Sequence, residues 1–222
     1  MSKPTLIYFA GRGRAELIRL VLAEAGVDYQ EHVVGKGTAP VNGRPTDFTE
    51  LKATGDLPFE ALPVWEEPDG FRLAQSLAIA SHVARAHGLV GRTPVEVARC
   101  DEWLGAVDDV RAQLRRLSSA PAEERAAIRT DLRTVTLPRW LGYLDRRLRA
   151  NDDGRGFAVG AGVTIADLAL WYLLEMIRDN GFGEAIDRLP VLSAFAQRIA
   201  SLPRVAAWIA SPRRRPFAPL PS

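Results

Sequence analysis

Tyr8 stands at the end of a mostly apolar run, Pro4-Thr-Leu-Ile-Tyr-Phe9, and Gly11-Arg-Gly-Arg-Ala-Glu16 follows at once. A phenol closing a strand just ahead of a helix start lies near free backbone N–H groups and the positive end of a helix dipole. Its hydroxyl could donate a hydrogen bond to a nearby thiolate. Stabilising the ionised form in this way lowers a thiol's pKa from about 8.5 toward neutrality. Tyr8 could equally be a strand residue with a satisfied hydroxyl. The Gly11–Glu16 segment also has the outline of a dinucleotide fingerprint. Glu16 stands where the third small residue belongs, and no acidic residue closes a second strand at the required distance, which argues against nucleotide binding.

Other residues offer chemistry of their own. Pro63, in Leu57-Pro-Phe-Glu-Ala-Leu-Pro63, is a candidate for a cis bond, which would expose the Leu62 backbone for pairing with an extended peptide. Gln75-Ser76 opens a helical pattern, and an amide, a hydroxyl and a helix N-terminus together suit a carboxylate. Ser76 could also be an ordinary N-cap. Arg111 and Arg115 are four apart and share a helix face; they could line a cleft, or coat the surface with Asp108 pairing Arg111. Arg213-Arg214-Arg215 suggests a solvated tail. His32, His82 and His87 lack ligand spacing, and the lone Cys100 is expected as a small semi-buried side chain.

The elements that must position these residues follow from the patterning. Strands are expected at 4–9, 29–34, 62–65 and 71–73, the last two joined at Asp69-Gly70. Helices are expected at 14–25, capped by Gly26, and at 76–86. A Gly/Pro/Asn-rich loop runs from Gly35 to Thr46. From Thr93 only helical patterns follow. The expected organisation is α+β: a βαβ-ββα domain over residues 1–86, then an all-helical domain over 94–222. The chain of 222 residues is 47% apolar and 25% charged, ordinary globular values. A net charge of +2 argues against nucleic acid as a partner. The lack of an apolar run near 18 residues argues against a membrane span, and the N-terminus lacks a signal-peptide pattern. One cysteine makes no internal disulfide, so a reducing, cytoplasmic location is expected.

Tyr8-Phe9-x-x-Arg12-Gly13-Arg14-Ala15-Glu16-x-Ile18-Arg19, Leu62-Pro63-Val64, Asp69-Gly70 and Leu73-x-Gln75-Ser76-x-Ala78-Ile79 together resemble the thioredoxin-like, glutathione-binding domain of cytosolic glutathione transferases. The nearest likeness is to the sigma class, which includes haematopoietic-type prostaglandin D synthases, with the pi class next. Gly88-Leu89-x-Gly91 resembles the family's interdomain stretch. Gly160-x-x-Val163-Thr164-x-Ala166-Asp167 resembles its helix-nucleating motif, with Thr164 and Asp167 as a capping box. The resemblance covers nearly the whole chain.

That resemblance implies a homodimeric enzyme using glutathione as co-substrate against a small electrophile. It matches Tyr8 to the thiol-activating tyrosine and Arg14 to the arginine that supports it. Leu62 and Pro63 are matched to the cysteinyl-pairing segment, and Gln75 and Ser76 to the γ-glutamyl carboxylate site. Lys52 is matched to a glycyl-carboxylate contact, and Phe48 stands where a tryptophan is usual. Asp109 resembles the residue that reaches the partner subunit's ligand, or is a helix-surface carboxylate. Gly105 replaces one acid of a cluster formed elsewhere with Asp101, Asp108 and Asp109, so no metal is expected. The electrophile pocket is expected at Gly11, Arg111, Arg115, Arg116, Phe217 and Leu220, favouring an acidic or polar electrophile. The rival readings are a glutathione-dependent isomerase or pathway-specific enzyme, and a non-catalytic protein of the same fold.

Overall fold

A computed structural model describes residues 2–35, 40–41 and 43–221. Residues 36–39 and 42 of the expected Gly35–Thr46 loop lie outside that description. The chain forms two compact units, residues 1–87 with Ala207–Ala218, and Gly88–Ala206 with Pro219–Ser222.

The first unit contains β1 (Thr5–Phe9), α1 (Glu16–Ala25), β2 (Gln30–Val34), α2 (Phe48–Ala53), β3 (Val64–Glu66), β4 (Arg72–Ala74) and α3 (Ser76–Ala86). The strands form one mixed sheet in the order β2-β1-β3-β4. β1 pairs parallel with β2 and antiparallel with β3, which pairs antiparallel with β4. Leu6 and Ile7 are both buried, so the sheet is covered on both faces. α1 packs against α3. Ile7, Val34, Leu51, Leu57, Val64 and Ala74 form a core cluster that includes α2's one fully buried residue, with Phe48 and Leu62 packed against it.

Several local expectations need correction. Leu62 and Pro63, expected within a strand, precede β3. A single turn, Gly13–Ala15, leads into α1, which begins at Glu16 rather than at residue 14. Gly26 ends α1 in the left-handed region at φ 70°, where glycine carries no Cβ penalty. α2 has no counterpart in the expected elements; the Asp47 side chain caps it by accepting from the N–H groups of Thr49 and Glu50. Ser76 is not an N-cap but the first helical residue of α3, with Gln75 in the cap position.

The second unit is helical. It contains α4 (Pro94–Ser119), α5 (Ala122–Asp131), α6 (Leu137–Arg149), α7 (Ile165–Asp179), α8 (Glu184–Asp187) and α9 (Pro190–Ala200). α10 (Pro203–Ile209) carries the chain from this unit back into the first. Buried residues of α4 recur at helical spacing, Cys100, Trp103, Leu104, Val107, Val110, Leu114 and Leu117, and this face packs on α7. Every residue of α7 from Ile165 to Leu174 is buried, as expected for the central helix of a bundle. A π turn, Leu132–Thr136, joins α5 to α6. Pro138 has no N–H to return to the Thr134 carbonyl, and the Leu137 N–H bonds five residues back to Leu132 instead. No helix among the described residues is long and apolar enough to cross a membrane.

Candidate active site

Strand register collects much of the expected site at one end of the sheet. Ile7 of β1 faces Val64 of β3, and Val64 faces Ala74 of β4. One step further along each strand lie Tyr8, Pro63 and Gln75. Residues that are 55 and 67 positions from Tyr8 in sequence are thus set side by side by two antiparallel pairings.

The Tyr8 hydroxyl accepts a 2.9 Å hydrogen bond from the Arg14 backbone N–H. A phenol oxygen that accepts one bond keeps its own proton to donate. Arg14 reaches Tyr8 through its main chain, and the intervening residue makes this possible. Gly13 has φ +42°, and a Cβ there would fall 2.5 Å from the Tyr8 hydroxyl oxygen. The helical dipole of α1 begins immediately beyond.

Arg19 supports the same turn from beneath. It is fully buried and donates to the Gly11 carbonyl at 2.8 Å, with its guanidinium 5.9 Å from the Tyr8 ring centroid. Its Nε bonds Glu31 at 2.7 Å, and Glu16 lies 3.6 Å away. Burial alone would raise the Glu31 pKa, but Arg19, then Arg215, hold it below the ordinary value. Sequence spacing does not single out Arg19. The signal it leaves is one charge inside the apolar run Leu17-Ile-Arg-Leu-Val-Leu22.

On the neighbouring strands, the Leu62–Pro63 bond is cis. Gln75 is exposed at φ 71°, ψ 114°, a conformation sparsely populated by residues with a side chain. Ser76 is buried. The first bond of α3 runs from the Ile79 N–H to the Gln75 carbonyl, so the N–H groups before it have no partner within the helix. Together they form a site suited to a carboxylate. Beside Tyr8, Phe9 meets Phe48 edge-on at 5.2 Å, and Lys52 lies over the Phe48 ring at 5.4 Å. Lys52 also lies 3.8 Å from Glu60. Phe48 offers a ring and no N–H donor.

The remaining candidates divide between the units. Gly11 and Phe217 belong to the first, where the Arg12 guanidinium lies 5.8 Å from the Phe217 ring. Asp109, Arg111, Arg115, Arg116 and Leu220 belong to the second. Asp109 is exposed on α4. Arg111 does not coat the surface: it is buried against the Tyr172 ring at 5.8 Å. Arg115 and Arg116 are more exposed and meet Asp108 at 3.8 Å and Asp131 at 2.9 Å. The Leu220 N–H donates to Asn180. The tail is not solvated throughout either: the Arg214 side chain is 6% exposed and bonded to Glu16 at 2.8 Å.

The Thr164 motif closes around Asp167. That carboxylate accepts from the Thr164 N–H, the Thr164 hydroxyl and the Ala158 N–H at 2.8, 2.9 and 2.6 Å. Burial pushes its pKa up to about 6 in spite of these bonds. Cys100 is buried nearby in the same unit, its thiol pKa raised by burial and partly offset by a hydrogen bond with Thr164.

Residues 4–85 match the family model for the glutathione S-transferase N-terminal domain, and residues 108–212 match that for the C-terminal domain. Glutathione S-transferase A3 of Mus musculus is 31% identical over 217 residues, spanning 97% of this chain and 93% of the relative. Glutathione S-transferase alpha-2 of Rattus norvegicus is 32% identical over 208 residues, 94% of this chain and 88% of the relative. Among solved structures, a Pi-class glutathione S-transferase of Onchocerca volvulus superposes with a TM-score of 0.81 at 27% identity, covering 94% of this chain and 92% of that one. Alpha-class names and a Pi-class structure establish the family without choosing the class, so the expected sigma likeness is not decided by them. Matched over both domains and nearly end to end, the chain belongs to the glutathione S-transferase family and is a glutathione transferase.

Proposed function

We propose that this transferase ionises the glutathione thiol beside Tyr8 and directs it at a small electrophile. The observation that carries this reading is the Tyr8 hydroxyl, engaged as an acceptor by the Arg14 N–H and so free to donate, at the sheet end it shares with Pro63 and Gln75. The thiol proton leaves to solvent and Tyr8 donates to the resulting thiolate. The sulfur then forms a bond to the electrophilic carbon, whose leaving group departs with the bonding electrons. Gln75 and Ser76 hold the γ-glutamyl carboxylate, the Leu62 backbone pairs with the cysteinyl unit, and Lys52 meets the glycyl carboxylate across Phe48. Catalysis is then nucleophile activation plus positioning.

The two parts of the site should separate kinetically. Tyr8→Phe should lower kcat about 10- to 100-fold with glutathione affinity nearly kept, since it removes one hydrogen bond to a charged group. Gln75→Ala should instead raise KM for glutathione and spare most of kcat. Assays with an aromatic halide read both. A Tyr8→Phe enzyme with full kcat would overturn the proposed role.

We place the active form as a homodimer in the cytoplasm, with Asp109 reaching the partner subunit's glutathione. Asp109 is exposed on α4, and Phe59 is 78% exposed, an apolar side chain that a second copy would cover. The lone, buried Cys100 suits a reducing compartment. Light scattering with calorimetry tests the shared site; a monomer with full glutathione affinity contradicts it. We propose that Arg115, exposed on α4, gives the enzyme a preference for acidic electrophiles. Equal kcat/KM for a carboxylate-bearing electrophile and its neutral ester would rule that preference out.

A further inference from the structure

The sheet end that carries Tyr8 is tied to the far end of the chain by buried charges. The returning segment Ala207–Ala218 sets Trp208 and Arg214 on Glu16, with the indole N–H and the Arg214 Nε both donating to Glu16 Oε1 at 3.1 and 2.8 Å. Glu16 and Arg19 are fully buried, and Arg19 in turn holds the Gly11 carbonyl and lies over the Tyr8 ring. Arg215 closes the network from a second side. Its guanidinium donates to Glu31, the other carboxylate on Arg19, and its carbonyl accepts from Arg12 in the turn after β1.

Such a network is an expensive way to stabilise a fold. Desolvating three guanidinium groups and two carboxylates offsets most of their mutual attraction, and an apolar cluster of the same volume would serve at least as well. What ion pairs with defined hydrogen-bond geometry do supply is a fixed position. Here the position fixed is that of Arg19, and through it the ring of Tyr8 and the carbonyl of Gly11.

We propose that Arg214, acting on Arg19 through Glu16, is a positioning residue for thiol activation, so that the C-terminal segment sets how well Tyr8 stabilises the thiolate. This rests on the role assigned to Tyr8 above. Arg214 touches no substrate in this account. Its removal frees Glu16 to draw Arg19 away from the turn, and the Tyr8 hydroxyl loses alignment with the sulfur. A misalignment of this kind costs rate without costing binding at Gln75 and Ser76.

The test is an ultraviolet titration of the glutathione thiol bound to wild type, Arg214→Ala, Arg214→Lys, Tyr8→Phe and the Arg214→Ala/Tyr8→Phe double variant, with kcat and KM for each. Arg214→Ala should raise the bound thiol's pKa by roughly half to one unit and lower kcat at neutral pH by about three- to tenfold, with KM for glutathione within about twofold of wild type. Arg214→Lys should recover most of the loss, and Arg214→Ala should add nothing to Tyr8→Phe. An Arg214→Ala enzyme that melts earlier with unchanged thiol pKa and kcat overturns the proposal, as does full additivity with Tyr8→Phe. A Tyr8→Phe titration identical to wild type would instead overturn the role of Tyr8. If Arg214→Ala does not fold, Arg215→Ala, which removes a more exposed member of the same network, should raise the thiol pKa in the same direction by less. No shift there overturns the proposal.

Discussion

Two carboxylates, one in each unit, the partly buried Glu31 and the fully buried Asp167, show how differently the two regions use polar groups. Glu31 of the first unit is bonded by Arg19, Arg215 and the Tyr29 hydroxyl. Asp167 of the second accepts from two backbone N–H groups and a threonine hydroxyl at the start of α7. Burial pushes both pKa values up; it prevails at Asp167, whereas Arg19 and Arg215 reverse it at Glu31. In the first unit charge fixes the turn beside the Tyr8 hydroxyl, and in the second a carboxylate starts a helix. Damage to the second should therefore appear as lost stability, and damage to the first as lost chemistry.

The largest effect is expected at Asp167. Asp167→Ala leaves the Ala158 and Thr164 N–H groups without their acceptor in the interior, at about 1–3 kcal/mol each. Urea unfolding should show a loss of roughly 3 kcal/mol or more, with kcat per folded molecule close to wild type. A loss under about 1 kcal/mol would show that Asp167 does not hold the start of α7.

Gly13→Ala should reverse that pattern. The new methyl would meet the Tyr8 hydroxyl at 2.5 Å, and φ +42° disfavours a side chain by about 1–2 kcal/mol. We expect kcat to fall about tenfold or more, a larger fraction than the stability change alone would remove. Unchanged kcat would show that the Tyr8–Arg14 contact is unimportant to the reaction.

The smallest effect is one of pH, and the two carboxylates oppose each other. Asp167 binds its proton more tightly in the native state, at about 6 against 3.8, so its contribution falls as pH rises through that interval. Glu31 has a lowered native pKa, so its contribution is present above its ordinary 4.5 and is lost as pH falls through the native value. Glu31→Gln should flatten only the acid limb of the urea-midpoint curve. An acid limb as steep as that of wild type would remove Glu31 from the network.

The two regions also differ in how much of them the sequence reveals. Local signals suffice for β1, for α1 with its Gly26 cap, and for the Thr164–Asp167 pair, whose partners lie three residues apart. α2 is short and buries only Leu51 fully, too little to produce a helical period. The Tyr8–Pro63–Gln75 alignment depends on strand register, so family resemblance reaches these residues before any periodicity does. The Arg213–Arg215 run looks solvated because Glu16, the carboxylate that buries Arg214, lies 198 positions away in sequence. Arg111 looks like a surface charge for the same reason, its ring partner Tyr172 lying on another helix. Long-range ion pairs leave no local period to detect.

If Tyr8 ionises the glutathione thiol, titrating the enzyme-bound thiol in wild type and Tyr8→Phe by thiolate absorbance will show it. The wild-type value should lie well below the free thiol's and rise by about one to two units in Tyr8→Phe, the equivalent of one charge-assisted hydrogen bond. Superimposable titration curves for the two proteins would contradict it.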